Sequence, residues 1–180
     1  MSDRLTVSKT HKLYIGGAFV RSESGASIGV EDRSGSIVAH LCRASRKDFR
    51  ECVEKAIEGF DRWQALTPYN RGQVLYRMAE MLEGKADEFA QALIETCGST
   101  PAQARNEVAT SIDRLVGFAG WADKFQQVIG CHNPVAGPYY NFTIPQAIGV
   151  TGVVAPNEPP LLALVTMIAS PLTCGNSIIA

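Results

Sequence analysis

Apolar residues recur at helical spacing through the middle of the chain and alternate or run together at its two ends. Phe49, Cys52, Val53, Ala56, Ile57, Phe60 and Trp63 mark one face of a helix running to about Leu66. Ser45-Arg46-Lys47-Asp48 opens that helix as a capping box, a hydroxyl at the cap and a carboxylate three residues on. Thr67-Pro68 starts a second, with Val74, Leu75, Met78, Leu82, Phe89, Ala90, Leu93 and Ile94 striping one long helix to Gly98. Gly84 in its middle is expected to cost about 1 kcal/mol and to mark a bend. Thr100-Pro101 repeats the start signal for a third helix, carried by Val108, Ile112, Leu115, Val116, Ala119, Ala122 and Phe125 to about Gln127. Mixed charges on the outer faces of all three read as solvated surface.

Before the helices, residues 12–40 are strand-like. Leu13-Tyr14-Ile15 and Ala18-Phe19-Val20 flank Gly16-Gly17, a two-residue hairpin signal, and a further strand is expected at Gly35–His40. No helix follows Gly16-Gly17 at the spacing of a phosphate cradle, so a plain turn is the better reading. After the helices, Gly130–Pro138 reads as a loop and Tyr139–Ile144 as a strand broken by Pro145. The neighbours Cys131 and His132 point to opposite faces of an extended chain and have no second ligand pair nearby, so they do not suggest a metal.

The last stretch organises the rest. Gly149–Ala155 is a β-branched run expected to be a strand buried on both faces, and Pro156-Asn157-Glu158-Pro159-Pro160 is a sharp turn. Leu161–Thr173 is apolar on nearly every side and reads as a buried helix; Gly175 caps it, and Ser177–Ala180 opens a second strand. Strand, turn, helix, strand is a βαβ unit with parallel strands. From Gly137 to Ala180 the only charged side chain is Glu158, in the turn outside the carboxyl end of the first strand, where open α/β sheets bind ligands. A strand at the very end of the sequence, with unpaired edges and apolar faces, is expected to be the opening of a larger α/β domain.

Composition narrows the partners. With 180 residues, 46% hydrophobic content and a net charge of −1, the chain reads as an ordinary globular domain without the basic footprint of a nucleic-acid binder. Five cysteines without paired spacing, and a polar start MSDRLTVSKTHK without a secretory signal, suggest reduced thiols and a cytoplasmic location. The apolar core of the Leu161–Ala169 run is shorter than the ~18 residues of a membrane span.

Taken in order, these segments resemble the N-terminal part of an aldehyde dehydrogenase. The resemblance runs from Lys12-Leu13-Tyr14-Ile15-Gly16-Gly17 through Glu95-Thr96-Cys97-Gly98 and Glu107-Val108 to Ile148–Pro156 and Gly175-Asn176. Asn70-Arg71-Gly72-Gln73-Val74-Leu75-Tyr76, Trp121-Ala122-Asp123-Lys124 and Pro156–Leu162 are similar to the second, non-classical dehydrogenase region of aldehyde dehydrogenase family 16. The resemblance implies a partial α/β domain: strands and a hairpin over 12–40, helices over 45–127, a hairpin strand over 137–148 and the first βαβ of a Rossmann-like cofactor domain over 149–180. It further implies that a hairpin around Tyr139–Ile148 leaves the body to build a homo-oligomer, or that the partner is the remainder of the dehydrogenase fold, with neither nucleic acid nor membrane.

For the site, the resemblance implies that NAD or NADP is bordered by Val154, Ala155, Pro156 and Asn157. Active members read Pro-Trp-Asn-Phe-Pro at this turn, and their Asn side chain donates to the oxyanion of the thiohemiacetal. Here Pro156 and Pro160 match, while Asn157 stands at the Trp position, Glu158 at the Asn position and Pro159 at the Phe position. An ionised carboxylate has no proton to donate and repels an oxyanion. A one-residue shift would bring Asn157 into the role only by rearranging the turn between its prolines. The family's nucleophilic cysteine, its general-base glutamate and its ribose-contacting lysine match no residue of this sequence. The chain by itself is therefore expected to be inactive, either a fragment of an NAD(P)-dependent oxidoreductase or a non-catalytic oligomerisation module derived from one.

Overall fold

The computed structural model describes residues 9–32 and 34–180. Its elements, in chain order, are β1 (Thr10–His11), β2 (Leu13–Ile15), β3 (Ala18–Val20), β4 (Ser27–Glu31) and β5 (Ile37–Cys42), then α1 (Arg46–Gln64), α2 (Pro68–Glu83), α3 (Ala86–Cys97), α4 (Pro101–Trp121) and α5 (Phe125–Ile129). They are followed by β6 (His132–Asn133), β7 (Asn141–Phe142), β8 (Val150–Gly152), α6 (Pro160–Thr173) and β9 (Ser177–Ile179).

The N-terminal strands form two small sheets. β2 and β3 pair antiparallel across Gly16-Gly17, whose φ values of 59° and 86° make the left-handed turn that matches strand twist. β5 lies between β1, parallel to it, and β4, antiparallel to it. The strand expected at Gly35–His40 starts at Ile37 and runs to Cys42.

Helix α1 begins at the expected capping box. The Ser45 hydroxyl accepts from the Lys47 and Asp48 amides, each at 3.2 Å, and Asp48 Oδ2 accepts from the Ser45 amide at 2.7 Å. Asp48 also reaches the β3–β4 loop, accepting from the Ser22 hydroxyl at 2.6 Å and the Glu23 amide at 3.1 Å. One carboxylate thus caps a helix and fastens the strand layer to it. Much of the apolar face of α1 is left outward, with Phe49 and Ile57 more than half exposed.

The helix expected from Thr67 to Gly98 is two helices. Gly84 ends α2, its amide bonded to the Glu80 carbonyl, and α3 restarts at Ala86. The bend anticipated at Gly84 is a full break because glycine propagates a helix poorly and Lys85 adopts a non-helical conformation. The third helix stops at Trp121 and a separate short turn, α5, follows it. Two N-caps match expectation: Thr67 accepts from the Asn70 amide, and Thr100 with Gln103 forms a second capping box.

Helix α4 is the centre of the packing. On one side Leu75, Ala79 and Leu82 of α2 meet Leu115 and, from α6, Ala169. On the other, Ala90 and Leu93 of α3 meet Ala104 and Val108, with Leu161 of α6 packed against them. Ile112 touches both clusters. The two helices α2 and α4 approach closely at Gly72, where an added Cβ would stand 2.8 Å from the Ala119 carbonyl oxygen.

Three expectations at the C-terminal end change. His132–Asn133, expected within a loop, pairs with Asn141–Phe142, so the hairpin lies over 132–142 and the anticipated Tyr139–Ile144 strand shrinks to two residues. The Asn133 amide holds it together by donating to Asn141 Oδ1 at 2.8 Å and Thr143 Oγ1 at 3.1 Å. The strand expected over Gly149–Ala155 is three residues long and not buried on both faces, Val150 and Thr151 being half-buried and Gly152 exposed, and Val154 beyond it is 90% exposed. The βαβ unit itself is present: β8 and β9 are parallel, in register Val150 to Ser177, with α6 between them. Helix α6 is less enclosed than its composition implied, Leu164 and Met167 remaining partly exposed. Among the described residues no helix is long and apolar enough to cross a membrane.

Substituting Gly72→Ala is expected to destabilise the chain by about 1–3 kcal/mol, because the contacted atom is backbone and cannot swing away; chemical denaturation measures it. The Asp48 hydrogen bonds, first that from Ser22 and then that from the Ser45 amide, lower its pKa from 3.8 to about 2. A carboxyl depressed in the folded state stabilises it above the unfolded pKa and loses that contribution as pH falls through the folded one. Stability is therefore expected to drop between about pH 4 and pH 2, and Asp48→Asn to flatten that drop in acid titrations followed by circular dichroism.

Candidate functional site at the carboxyl end of the first parallel strand

The turn between β8 and α6 holds all five residues to which the resemblance assigned a site. Val154, Pro156, Asn157 and Glu158 are exposed, and Ala155 is half-buried. Glu158 lines a cavity of about 490 Å3 together with Cys97, Gln103, Glu107, Pro160 and Leu162. Val154, Ala155, Pro156 and Asn157 precede Glu158 in the same turn and are not among the residues that line this cavity.

A residue outside the turn sets its geometry. Pro159 and Pro160 have no amide hydrogen, and Pro159, at the N-cap, has no side-chain oxygen to offer. Glu107, from the second turn of α4, supplies the cap: its Oε1 accepts from the Leu161 amide at 2.8 Å and the Leu162 amide at 3.2 Å. The next amide, that of Ala163, donates to the Pro159 carbonyl at 2.9 Å. Every free N–H at the start of α6 is thus spoken for, and the favourable end of the helix dipole faces a carboxylate. The sequence carried a signal for this: a helix opening on two prolines with no hydroxyl or amide before it must find its cap elsewhere.

The other end of the βαβ unit is tied by Asn176. Its Oδ1 accepts from the Ile148 and Gly149 amides at 2.8 and 3.1 Å, and its Nδ2 donates to the Pro171 carbonyl at 3.3 Å. One side chain therefore joins the entry to β8, the end of α6 and the entry to β9. The Trp63 indole donates to the Leu172 carbonyl at 2.9 Å, anchoring α1 to the same helix end.

This arrangement tests what the turn can bind. The donors that a strand–turn–helix unit normally offers a diphosphate are the first amides of its helix. Here those amides are taken by Glu107, with Glu158 at the same cavity, so the turn does not fit the diphosphate of a dinucleotide. What it leaves open is the exposed backbone edge at Val154–Asn157. Burial pushes the thiols of Cys52 and Cys174 up, away from the thiolate.

The chain thus joins a parallel strand pair by a helix that packs on α2 and α4, and carries a small hairpin ahead of that unit. The aldehyde dehydrogenase family model matches residues 19–180, and the chain belongs to that family, to its N-terminal region. Among curated relatives, it is 32% identical over 172 residues to the mitochondrial benzaldehyde dehydrogenase of Antirrhinum majus, covering 93% of this chain and 32% of that protein. It is 31% identical over 182 residues to the cytosolic 10-formyltetrahydrofolate dehydrogenase of Xenopus laevis, covering 98% of this chain and 20% of that one. Its fold superposes on PnpE, solved in complex with nicotinamide adenine dinucleotide, with a TM-score of 0.88 and 29% identity over 93% of this chain and 34% of PnpE. The chain thus spans about a third or less of the length of the relatives it matches.

Glu107→Ala is expected to lower stability by about 1 kcal/mol, the usual worth of an N-cap. Glu158→Ala, which removes no hydrogen bond, is expected to stay within about 0.5 kcal/mol of the parent. Urea denaturation of the two variants checks both.

Proposed function

We propose that this chain is the N-terminal region of an NAD(P)-dependent aldehyde dehydrogenase-like protein and that its own residues do not catalyse the oxidation of an aldehyde to a carboxylic acid. The observation that carries this reading is Glu158. It sits exposed in the turn after β8, at the position where the family's oxyanion-donating Asn is expected, and shares a cavity with Glu107. An ionised carboxylate accepts hydrogen bonds and repels the negative charge that develops during acyl transfer. Occupation of the α6 amides by Glu107 supports the further expectation that the chain alone holds NAD or NADP weakly. Val154, Ala155, Pro156 and Asn157 would border the nicotinamide end only when the rest of a dehydrogenase fold supplies the diphosphate and ribose contacts. A cytoplasmic location belongs to the same reading, supported by five cysteines that are all free thiols.

A second reading is a non-catalytic assembly module. It is favoured by the β6–β7 hairpin, where Tyr139 and Tyr140 are each 74% exposed and Tyr140 stacks on His132 with ring centroids 4.5 Å apart. Ordered aromatic surface of this kind is characteristic of interfaces. Self-association of the chain, measured by sedimentation velocity and weakened by Tyr140→Ser, favours this reading; a monomer at all concentrations argues against it.

Aldehyde-dependent reduction of NAD or NADP, followed by nicotinamide absorbance, is expected to be absent for this chain. In a polypeptide joining this region to the family's nucleophilic cysteine, Glu158→Asn is expected to raise turnover by about 10²-fold, the usual worth of one oxyanion donor. Turnover by the unaltered chain, or a Glu158→Asn polypeptide no faster than its parent, would overturn the assignment.

A further inference from the structure

Arg71, in the first turn of α2, is only 5% exposed, yet it forms no ion pair among the described residues. Its Nη1 donates to the Leu66 carbonyl at 2.7 Å, while its Nε–H has no acceptor. The guanidinium lies against Gly175, where φ is +90° and an added Cβ would stand 3.4 Å from Arg71 Cζ. The chain therefore keeps a side-chain-free residue where the guanidinium needs room. Guanidinium groups stay protonated in proteins, and buried charges are normally paired with an opposite charge. Arg71 has no such partner among the described residues.

Beside it opens a cavity of about 320 Å3, walled by Gln64, Gln126, Gln146, Pro145 and Cys174, in which Arg71 is the only charged residue. Cys174 does not supply the missing negative charge, since burial pushes its thiol up and keeps it neutral. The amides nearby are weakly committed. Gln126 Nε2 reaches the Pro145 carbonyl, and Gln64 Nε2 reaches Asp61, each at 3.5 Å, the outer limit of a hydrogen bond. Gln146 is exposed at the rim. A planar guanidinium fork with amide donors around it is the donor set that recognises carboxylate and phosphate oxygens.

We propose that this cavity is a binding site for a small oxyanion, a phosphate or a carboxylate, held by the guanidinium of Arg71 and by the side-chain amides of Gln64, Gln126 and Gln146. The site lies at the Gly175 end of α6, whereas the candidate cofactor turn lies at its Pro160 end. It is independent of whether the chain has any dehydrogenase role.

The test is a titration of the 180-residue chain with inorganic phosphate and, separately, with acetate, at constant ionic strength set by sodium chloride. The readout is the side-chain Nε–H resonance of Arg71 in nitrogen-edited NMR spectra. The expected result is a saturable shift with at least one of the two anions, phosphate alone marking a phosphate site and acetate alone a carboxylate site. Gln126→Leu and Gln146→Leu, which leave the Arg71–Leu66 contact in place, are expected to weaken binding about threefold to tenfold each, the worth of one hydrogen bond. Arg71→Lys, which keeps the charge without the fork, is expected to abolish saturation where it folds. No saturable shift with either anion overturns the proposal, as does an equal response in the parent and both glutamine variants.

Discussion

The structure turns on one long-range contact, the Glu107 carboxylate against the first amides of α6. Glu107 and Leu161 are far apart in sequence, so the contact forms only once α4 and α6 have packed. It joins the helical layer to the βαβ unit at the point where the βαβ unit could not satisfy itself. Pro159 and Pro160 start α6 with fixed dihedrals but bring neither a donor nor a side-chain acceptor. The apolar contacts beside it, Leu161 against the Ala90, Leu93, Ala104 and Val108 cluster, place the carboxylate where the amides emerge. Hydrophobic burial supplies the proximity and the hydrogen bonds supply the direction.

The same economy recurs at two other junctions, each spanned by one polar side chain. Asp48 serves its own helix and the β3–β4 loop, and Asn176 serves the ends of both parallel strands and of α6. All three residues are polar groups withdrawn at least partly from water. Each bonds mainly to backbone groups, Asp48 adding the Ser22 hydroxyl, which fixes one arrangement of the chain at little electrostatic risk. Arg71 is the exception, a buried charge with one backbone acceptor and one unused donor.

Local features were legible in the sequence because local physics decides them. The Gly16-Gly17 turn, the Ser45 and Thr100 capping boxes, the Thr67 cap and the strand–helix–strand order all depend on residues within a few positions of one another, and all are present. Element lengths were less legible. The apolar stripe ran on through Gly84 and past Trp121 because periodicity does not register a local break in the backbone. His132–Asn133 looked like loop because its strand character comes only from pairing with Asn141–Phe142. The β-branched run at Gly149–Ala155 implied burial that Val154 does not have, since burial belongs to what packs against a strand and not to the strand. At the candidate site the turn was legible, but the residue that caps α6 was not, because a contact between α4 and α6 leaves no periodic trace.

That distinction bears on how the turn should be understood. Seen in sequence, Glu158 is one of three departures, with Asn157 and Pro159, between the two matching prolines of the motif. Placed in the fold, it shares a cavity with a second carboxylate, one of whose oxygens caps α6. An asparagine at the Glu158 position could donate outward while Glu107 accepts from the helix, so the two side chains would have complementary roles. A glutamate there gives two acceptors and no side-chain donor, at a helix end whose amides are already used. On the proposed reading, the missing oxyanion donor is a property of the whole helix start rather than of one residue.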